Sequence, residues 1–233
     1  TGSRRVPDLY IANKSYSSWS LRPWVLMKQL GIAFQEHVVP FEDPQAWQAY
    51  RQQVSPSGKV PVLVGSHGTV WDSLAIAEHL AEQHAGVWPA DGAARTWARC
   101  AAAEMHSSFG ALRSQCPMTC VMRIELNEVN AALQADLDRL QALWREGLAR
   151  FGGPFLAGPT FTAVDAFFCP VAWRIWAYGL KVDAPSQAYV QHLLALPAMQ
   201  QWQQQALLEA PDPAHEVDCL KGGRCLQDLR LNP

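Results

Sequence analysis

Charge is scarce in this chain. Asp, Glu, Lys and Arg make up 17% of its 233 residues, and 19 cations against 21 anions leave a formal net charge of -2. Neutralising many phosphates takes a basic stripe, so nucleic acid is not an expected partner. Long apolar runs are missing as well: the most apolar stretch, around Ala166 to Trp173, is far below the roughly 20 residues that span a bilayer. No membrane partner is expected. No apolar segment follows Arg4-Arg5 to read as an export signal, so the expected location is cytoplasmic. Cys116, Cys120, Cys219 and Cys225 have neither zinc spacing nor paired histidines, so no metal is expected, and these four together with Cys100 and Cys169 are expected to be free thiols. Internal repeats and low-complexity tracts are absent. What is present is a 49% hydrophobic composition, enough to bury the core of one large domain or two modest ones.

Two rhythms divide the chain. Residues 8 to 84 alternate strand and helix signals. A short apolar run at Leu9 to Ala12 gives way to a polar loop at Asn13 to Ser18, then to helical spacing from Leu21 to Leu30 that stops at Gly31. Phe34 to Val39 reads as a second strand and Gln45 to Gln53 as a helix opening just after Pro44. Val60 to Val64 and Thr69 to Trp71 flank a Gly65-Ser66-His67-Gly68 hairpin signal, and Ser73 to His84 completes the unit as a helix. After the Pro89-Ala90-Asp91-Gly92 loop the strand signals stop. Leu126, Val129, Leu133, Leu137, Leu140, Trp144 and Leu148 recur at helical spacing, and further helices are expected over Ala163 to Tyr178, Ser186 to Leu194 and Ala198 to Leu208. The tail beyond Pro211, with two prolines and a Gly pair, is expected to lie extended over the surface or to be mobile.

Three features of the first half carry possible chemistry. Ser15-Tyr16-Ser17-Ser18-Trp19-Ser20 opens a helix directly after the first strand, where serines cap and where backbone N–H groups and the helix dipole favour an anion. In Ser55-Pro56-Ser57-Gly58-Lys59-Val60-Pro61-Val62-Leu63, Pro61 stands at the entry to a strand. A cis Val60-Pro61 bond there would leave the Val60 N–H and C=O outward at a sheet edge, free to pair with an extended peptide. Asp72-Ser73 stands between a strand and a helix. Ser73 and the helix N–H groups suit a carboxylate, Asp72 suits an ammonium group, and an α-amino acid head has both. Taken singly, each also has a plain structural role as a cap or a strand entry.

In this order and spacing the three resemble the glutathione-binding half of the cytosolic glutathione transferases, most specifically at SPSGKVPVL (55 to 63) and WDSLAIAEHL (71 to 80). Within that superfamily SSWSLRP (17 to 23) is similar to the serine-type loop of the zeta class, as in bacterial members, with Trp19 where the zeta motif has Cys. Thr162-Ala-Val-Asp165 is similar to the family's helix-capping box. The resemblance implies an α/β plus all-α fold: a thioredoxin-like domain over 1–86 and an all-helical domain over 90–233. It implies glutathione as cosubstrate with no metal, a small hydrophobic electrophile as the second substrate, and a homodimer. By site it implies Ser17, or failing that Ser18, as donor to the thiolate. Lys59, Val60, Pro61, Asp72 and Ser73 bind glutathione, and Met105, His106, Phe109 and Cys116 line the electrophile pocket. The alternatives are a glutathione-dependent isomerase, against which the lost Cys at Trp19 argues, a glutathione-dependent peroxidase, and a glutathione-binding module without turnover.

Overall fold

A computed structural model describes residues 5–230; the outermost residues of the two expected domain ranges, 1–4 and 231–233, lie outside the described residues. The chain opens with β1 (Asp8–Ile11), α1 (Ser18–Leu30), β2 (Gln35–Val38), α2 (Pro44–Gln53), β3 (Val62–Gly65), β4 (Gly68–Trp71) and α3 (Ser73–Ala81). These match the expected strand and helix rhythm of the first half. The strands lie in the order β2-β1-β3-β4, with β1 parallel to β2 and the other pairs antiparallel. Side chains alternate across the sheet. Leu9, Ile11 and Leu63 therefore face the main core with Leu21, Trp24 and Val25 of α1 and Ile76 and Leu80 of α3, whereas Tyr10, Val62 and Val64 face Tyr50 and Trp47 of α2. α1 ends where Gly31 takes φ 69°, so that Ile32 N–H reaches back to Met27 O at 2.9 Å, a reversal that glycine makes without steric cost.

The second half is built of α4 (Gly92–Ser107), α5 (Gly110–Gln115), α6 (Ala131–Phe151), α7 (Ala163–Ala177), α8 (Ala184–Leu194), α9 (Pro197–Ala206) and α10 (Pro213–Leu220), with β5 (Met122–Leu126) and β6 (Gly223–Asp228) between and after them. α7 is apolar on nearly all sides and is buried along almost its whole length, as such a helix must be. It packs against both α1 and α4, which makes it the seam between the halves. At its start the Asp165 half of the expected capping box forms: Thr162 N–H donates to Asp165 Oδ2 at 3.0 Å, while Leu156 N–H (3.0 Å) and the Tyr189 hydroxyl (2.6 Å) donate to Oδ1; the Thr162 hydroxyl has no partner. All six cysteines are free.

The helical second half also contains strand. β5 and β6 form a two-stranded antiparallel ribbon, Met122 opposite Asp228 and Leu126 opposite Gly223. Leu126 therefore ends a strand instead of starting the long helix, and Val129 is exposed in the loop before α6. The tail beyond Pro211 departs from its expectation too, because α10 and β6 are tied down. Arg230 meets Asp228 (2.6 Å) and Glu216 (2.5 Å) and donates to the Tyr16 hydroxyl at 3.2 Å. Tyr16 lies 214 positions before Arg230, and β5 about a hundred before β6, where no local pattern reveals them.

Candidate active site

Strand register gathers the three sequence features at one end of the sheet. β1 and β3 pair with Tyr10 opposite Val62, so Pro61 comes beside the end of β1, where the Ser17 loop begins. Val62 is opposite Trp71, so Asp72 and Ser73 leave β4 at that same end. The Val60-Pro61 bond is cis, as expected from the sequence. The carbonyl of Lys59 accepts from the Tyr50 hydroxyl (2.7 Å) and from Ser55 Oγ (2.8 Å), which anchors the turn from beneath. Burial pushes the Tyr50 hydroxyl up to about 12, so it remains a donor at neutral pH. The Lys59 side chain is exposed, Val60 is half-buried, and Pro61 is buried. Among the described residues neither the N–H nor the C=O of Val60 is used within the fold.

The loop between β1 and α1 is held from several sides. Asn13 Oδ1 accepts from Phe41 N–H (2.8 Å), and the Lys14 ammonium meets Glu36 at 2.6 Å. Glu209, from beyond α9, accepts from the N–H groups of Lys14 and Ser15 and from the Ser15 hydroxyl, all at 2.8 Å. Burial raises the Glu209 carboxyl above its ordinary range, while those donors and Lys14 pull it back. Tyr16 donates to Glu216 at 2.8 Å, and burial followed by that glutamate keeps its hydroxyl firmly protonated. Tyr16 is therefore no source of an anion-activating phenolate. Sequence reading missed Glu209, Glu216 and Arg230 because each acts from the far end of the chain.

Ser17 is the N-cap residue of α1, yet no side chain caps that helix. Asp43, Asp72, Asp91, Asn130 and Asp183 each accept from first-turn N–H groups of α2, α3, α4, α6 and α8, whereas α5, α9 and α10 are, like α1, without a side-chain cap bond. The Ser17 hydroxyl instead lies 2.6 Å from that of Ser20, whose oxygen accepts from Ala12 N–H at 3.1 Å. Ser17 donates in that bond, so its proton reaches an acceptor at the helix N-terminus when the hydroxyl turns away from Ser20. Ser18, at the first helical position, is half-buried.

At the second helix start, Asp72 adopts φ 76° and ψ 132°, a strained conformation outside the left-handed helical region. Its Oδ1 accepts from Leu74 N–H (2.8 Å), and Oδ2 lies 3.3 Å from His106 Nε2. The adjoining Ser73 is 2% exposed, and its hydroxyl has no partner. The hydroxyls of Thr162 and Ser186 are likewise buried without a partner, so what sets Ser73 apart is its place at this end of the sheet.

Of the four residues expected to line a second pocket, the structure brings His106 to this site. Met105, Phe109 and Cys116 are buried in the core. Burial pushes the Cys116 thiol up to about 12, which leaves it inert at neutral pH. His106 Nδ1 lies 3.4 Å from Arg22 Nη1, so the ring bridges Asp72 to Arg22. Only a ring with a bare Nδ1 accepts from a guanidinium, which fixes the tautomer with its proton on Nε2, facing the aspartate. Burial lowers the pKa of His106, more than Asp72 raises it. Around this bridge lie Trp19 and Arg113, which sequence spacing did not connect.

The two halves of the chain match known sequence profiles: residues 16–83 match the glutathione S-transferase N-terminal domain, and residues 124–202 the glutathione S-transferase C-terminal domain. The chain belongs to the glutathione transferase superfamily. Its thioredoxin-like first domain and helical second domain are that family's fold. A glutathione transferase homolog from Burkholderia, solved with bound glutathione, is 26% identical, with a TM-score of 0.65 over 87% of this chain and 98% of its own. A glutathione transferase from Methylococcus capsulatus shares the fold at 21% identity, with a TM-score of 0.61 over 88% of this chain and 100% of its own. A dichloromethane dehalogenase from Methylorubrum extorquens is 38% identical over 65 residues, 27% of this chain. The matched segment spans 23% of that dehalogenase, about a quarter of its length.

Proposed function

We propose that the protein joins the sulfur of glutathione to a small hydrophobic electrophile. The observation that carries this reading is the uncapped N-terminus of α1, with the Ser17 hydroxyl beside it, at the end of the sheet where the Pro61 turn and Ser73 also converge. Free thiols ionise near pKa 8.5, and a helix N-terminus lowers such a value to about 3.5–7.5. Ser17 donates to the sulfur, with Ser18 as the alternative donor, and the first-turn N–H groups of α1 reinforce the negative charge.

The rest of the peptide is held by the remaining groups. The backbone of Val60 pairs with the cysteinyl residue in the manner of an added strand, and exposed Lys59 reaches a carboxylate. Ser73 takes the γ-glutamyl carboxylate and Asp72 its ammonium group. In the reaction the thiol proton leaves to solvent, and the sulfur lone pair forms a bond to the electrophilic carbon. The leaving group departs with the bonding pair. The dehalogenase similarity favours a halide as that leaving group. A homodimer and a cytoplasmic location belong to the same reading.

Turnover of a chlorinated aromatic, a peroxide and a maleyl compound, each with glutathione, tests it. Release of chloride with formation of a thioether is the expected outcome. Glutathione oxidation by peroxide alone would make the protein a peroxidase, and binding without turnover would make it a glutathione-binding module.

A further inference from the structure

The second substrate's chemistry is written in an excess of positive charge beside the thiolate site. Arg22 follows Ser18 by four residues on α1, so it lies on the same helix face about 6 Å further along the axis. Its side chain is buried, residue exposure being 2%, and its Nε has no hydrogen-bond partner. Arg113 of α5 is half-buried, and its one hydrogen bond goes to the carbonyl of Ser108 at 3.0 Å. The two guanidinium groups lie 4.1 and 4.7 Å from the Trp19 ring centroid, and Arg22 also covers Phe167 of α7 at 4.9 Å. Arg174 lies behind them, fully buried, with Nε bound to the Cys116 carbonyl at 2.9 Å. The neutral His106 ring adds no charge. Among the described residues no carboxylate lies within ion-pair distance of any of these three arginines; Arg51, Arg95 and Arg123 also have none, but of the three buried arginines, Arg22, Arg174 and Arg230, Arg230 alone has acidic partners. Asp72, the nearest acid, faces His106 instead.

A buried guanidinium without a counterion is costly, and folds keep such groups where an anion completes them. Two anions could come here, a carboxylate of glutathione or one on the electrophile. The peptide cradle of Val60 and Ser73 sits on the sheet half, whereas Arg113 and the rings that hold these cations come from α5, α7 and the Arg22 face of α1. This geometry favours the electrophile. We propose that Arg113, backed by Arg22, receives a carboxylate on the second substrate, so that the preferred electrophile is a small apolar body bearing one acidic group. The proposal rests on the transferase reading and adds the substrate class to it.

The test compares chlorodinitrobenzoate with the corresponding chlorodinitrobenzamide, whose reactive carbons match and whose charges differ. The readout is the ratio of their kcat/KM values, each divided by its uncatalysed rate with glutathione. A charge-assisted bidentate contact predicts an acid-to-amide ratio of about ten or more. Arg113→Met should bring that ratio to near one while the dissociation constant of glutathione stays as in the wild type. Arg22→Met, judged alongside its melting temperature, should do the same if it folds. A ratio near or below one in the wild type, with both compounds turned over, overturns the proposal and leaves the transferase reading standing. So does a high ratio that Arg113→Met leaves untouched, or a glutathione affinity that falls with the ratio, which would assign the arginine to the peptide. If neither compound is turned over, the transferase reading fails. Calorimetry of the two synthetic glutathione conjugates then decides: tighter binding of the acid, lost in Arg113→Met, sustains the anion site, and equal binding rejects it.

Discussion

Ser73→Ala should make the protein more stable and its binding of glutathione weaker. The hydroxyl of Ser73 is buried and unpartnered, so in the ligand-free protein it bears a desolvation cost that no hydrogen bond offsets. Mutational experience places such a cost at about 1–3 kcal/mol, and Ala in place of Ser on the first turn of α3 adds a few tenths of helix propensity. The capping bonds of Asp72 to Leu74 and Ala75 do not involve Ser73 and stay in place. A net gain of about 1 kcal/mol corresponds to a rise in Tm of about 2–4 °C in a protein of this size. Binding moves the other way. A hydrogen bond from the hydroxyl to a carboxylate contributes about 1.5–3 kcal/mol, so the dissociation constant of glutathione should rise about 10- to 150-fold. Differential scanning calorimetry and isothermal titration on the same preparation give both numbers. A lower Tm with unchanged binding would mean that the hydroxyl supports the fold and meets no ligand.

Other outcomes follow from the same network. Proton NMR should find His106 titrating below its ordinary 6.5, because burial disfavours the imidazolium. The unfolded chain then binds that proton at a higher pH than the native one, so stability is lost as pH falls through about 6.5 and the loss is complete below the native value. Asp72→Asn, which removes the one acid facing the ring, should lower the titration midpoint further; a rise would contradict the bridge. Asp165→Ala leaves three buried donors, from Leu156, Thr162 and Tyr189, without an acceptor. It should cost about 3–6 kcal/mol in urea denaturation, and a loss under about 1 kcal/mol would show that the box does little for the fold. Gly147→Ala would place a methyl group 2.6 Å from the carbonyl of Leu156. The overpacking should cost about 1–3 kcal/mol by the same assay, with glutathione binding unchanged.

Local pattern reveals structure where the deciding contacts are local. Leu9 and Ile11 alternate with Tyr10 because the sheet has two covered faces, Gly31 stops α1, and the residues around Pro61 and Asp72 carry their own backbone requirements. Each of these is legible over a few residues. The ribbon of β5 and β6 is not, because strands about a hundred positions apart make one another, and the spacing of Leu126 and Val129 from Leu133 mimics a helix. The same divide runs through the candidate site. Ser17, Ser18, Val60 and Ser73 announce themselves by their positions at helix and strand ends. The bridge from Asp72 through His106 to Arg22, and the Trp19 and Arg113 pair beside it, join β4, α1, α4 and α5, and no spacing rule connects them. Met105, Phe109 and Cys116 show the complementary limit: helical spacing finds a buried face and does not say whether it meets a ligand or the core.

The central claim is that α1 and its serine hold glutathione as a thiolate. The most direct measurement is the pH titration of the thiolate ultraviolet absorbance in the complex of glutathione with the protein, repeated for Ser17→Ala and Ser18→Ala. The account predicts a midpoint below about 7.5 in the wild type, shifted upward in Ser17→Ala by about one unit or more, as loss of a charge-assisted hydrogen bond requires. A midpoint near the free value of about 8.5, the same in all three proteins, would contradict it.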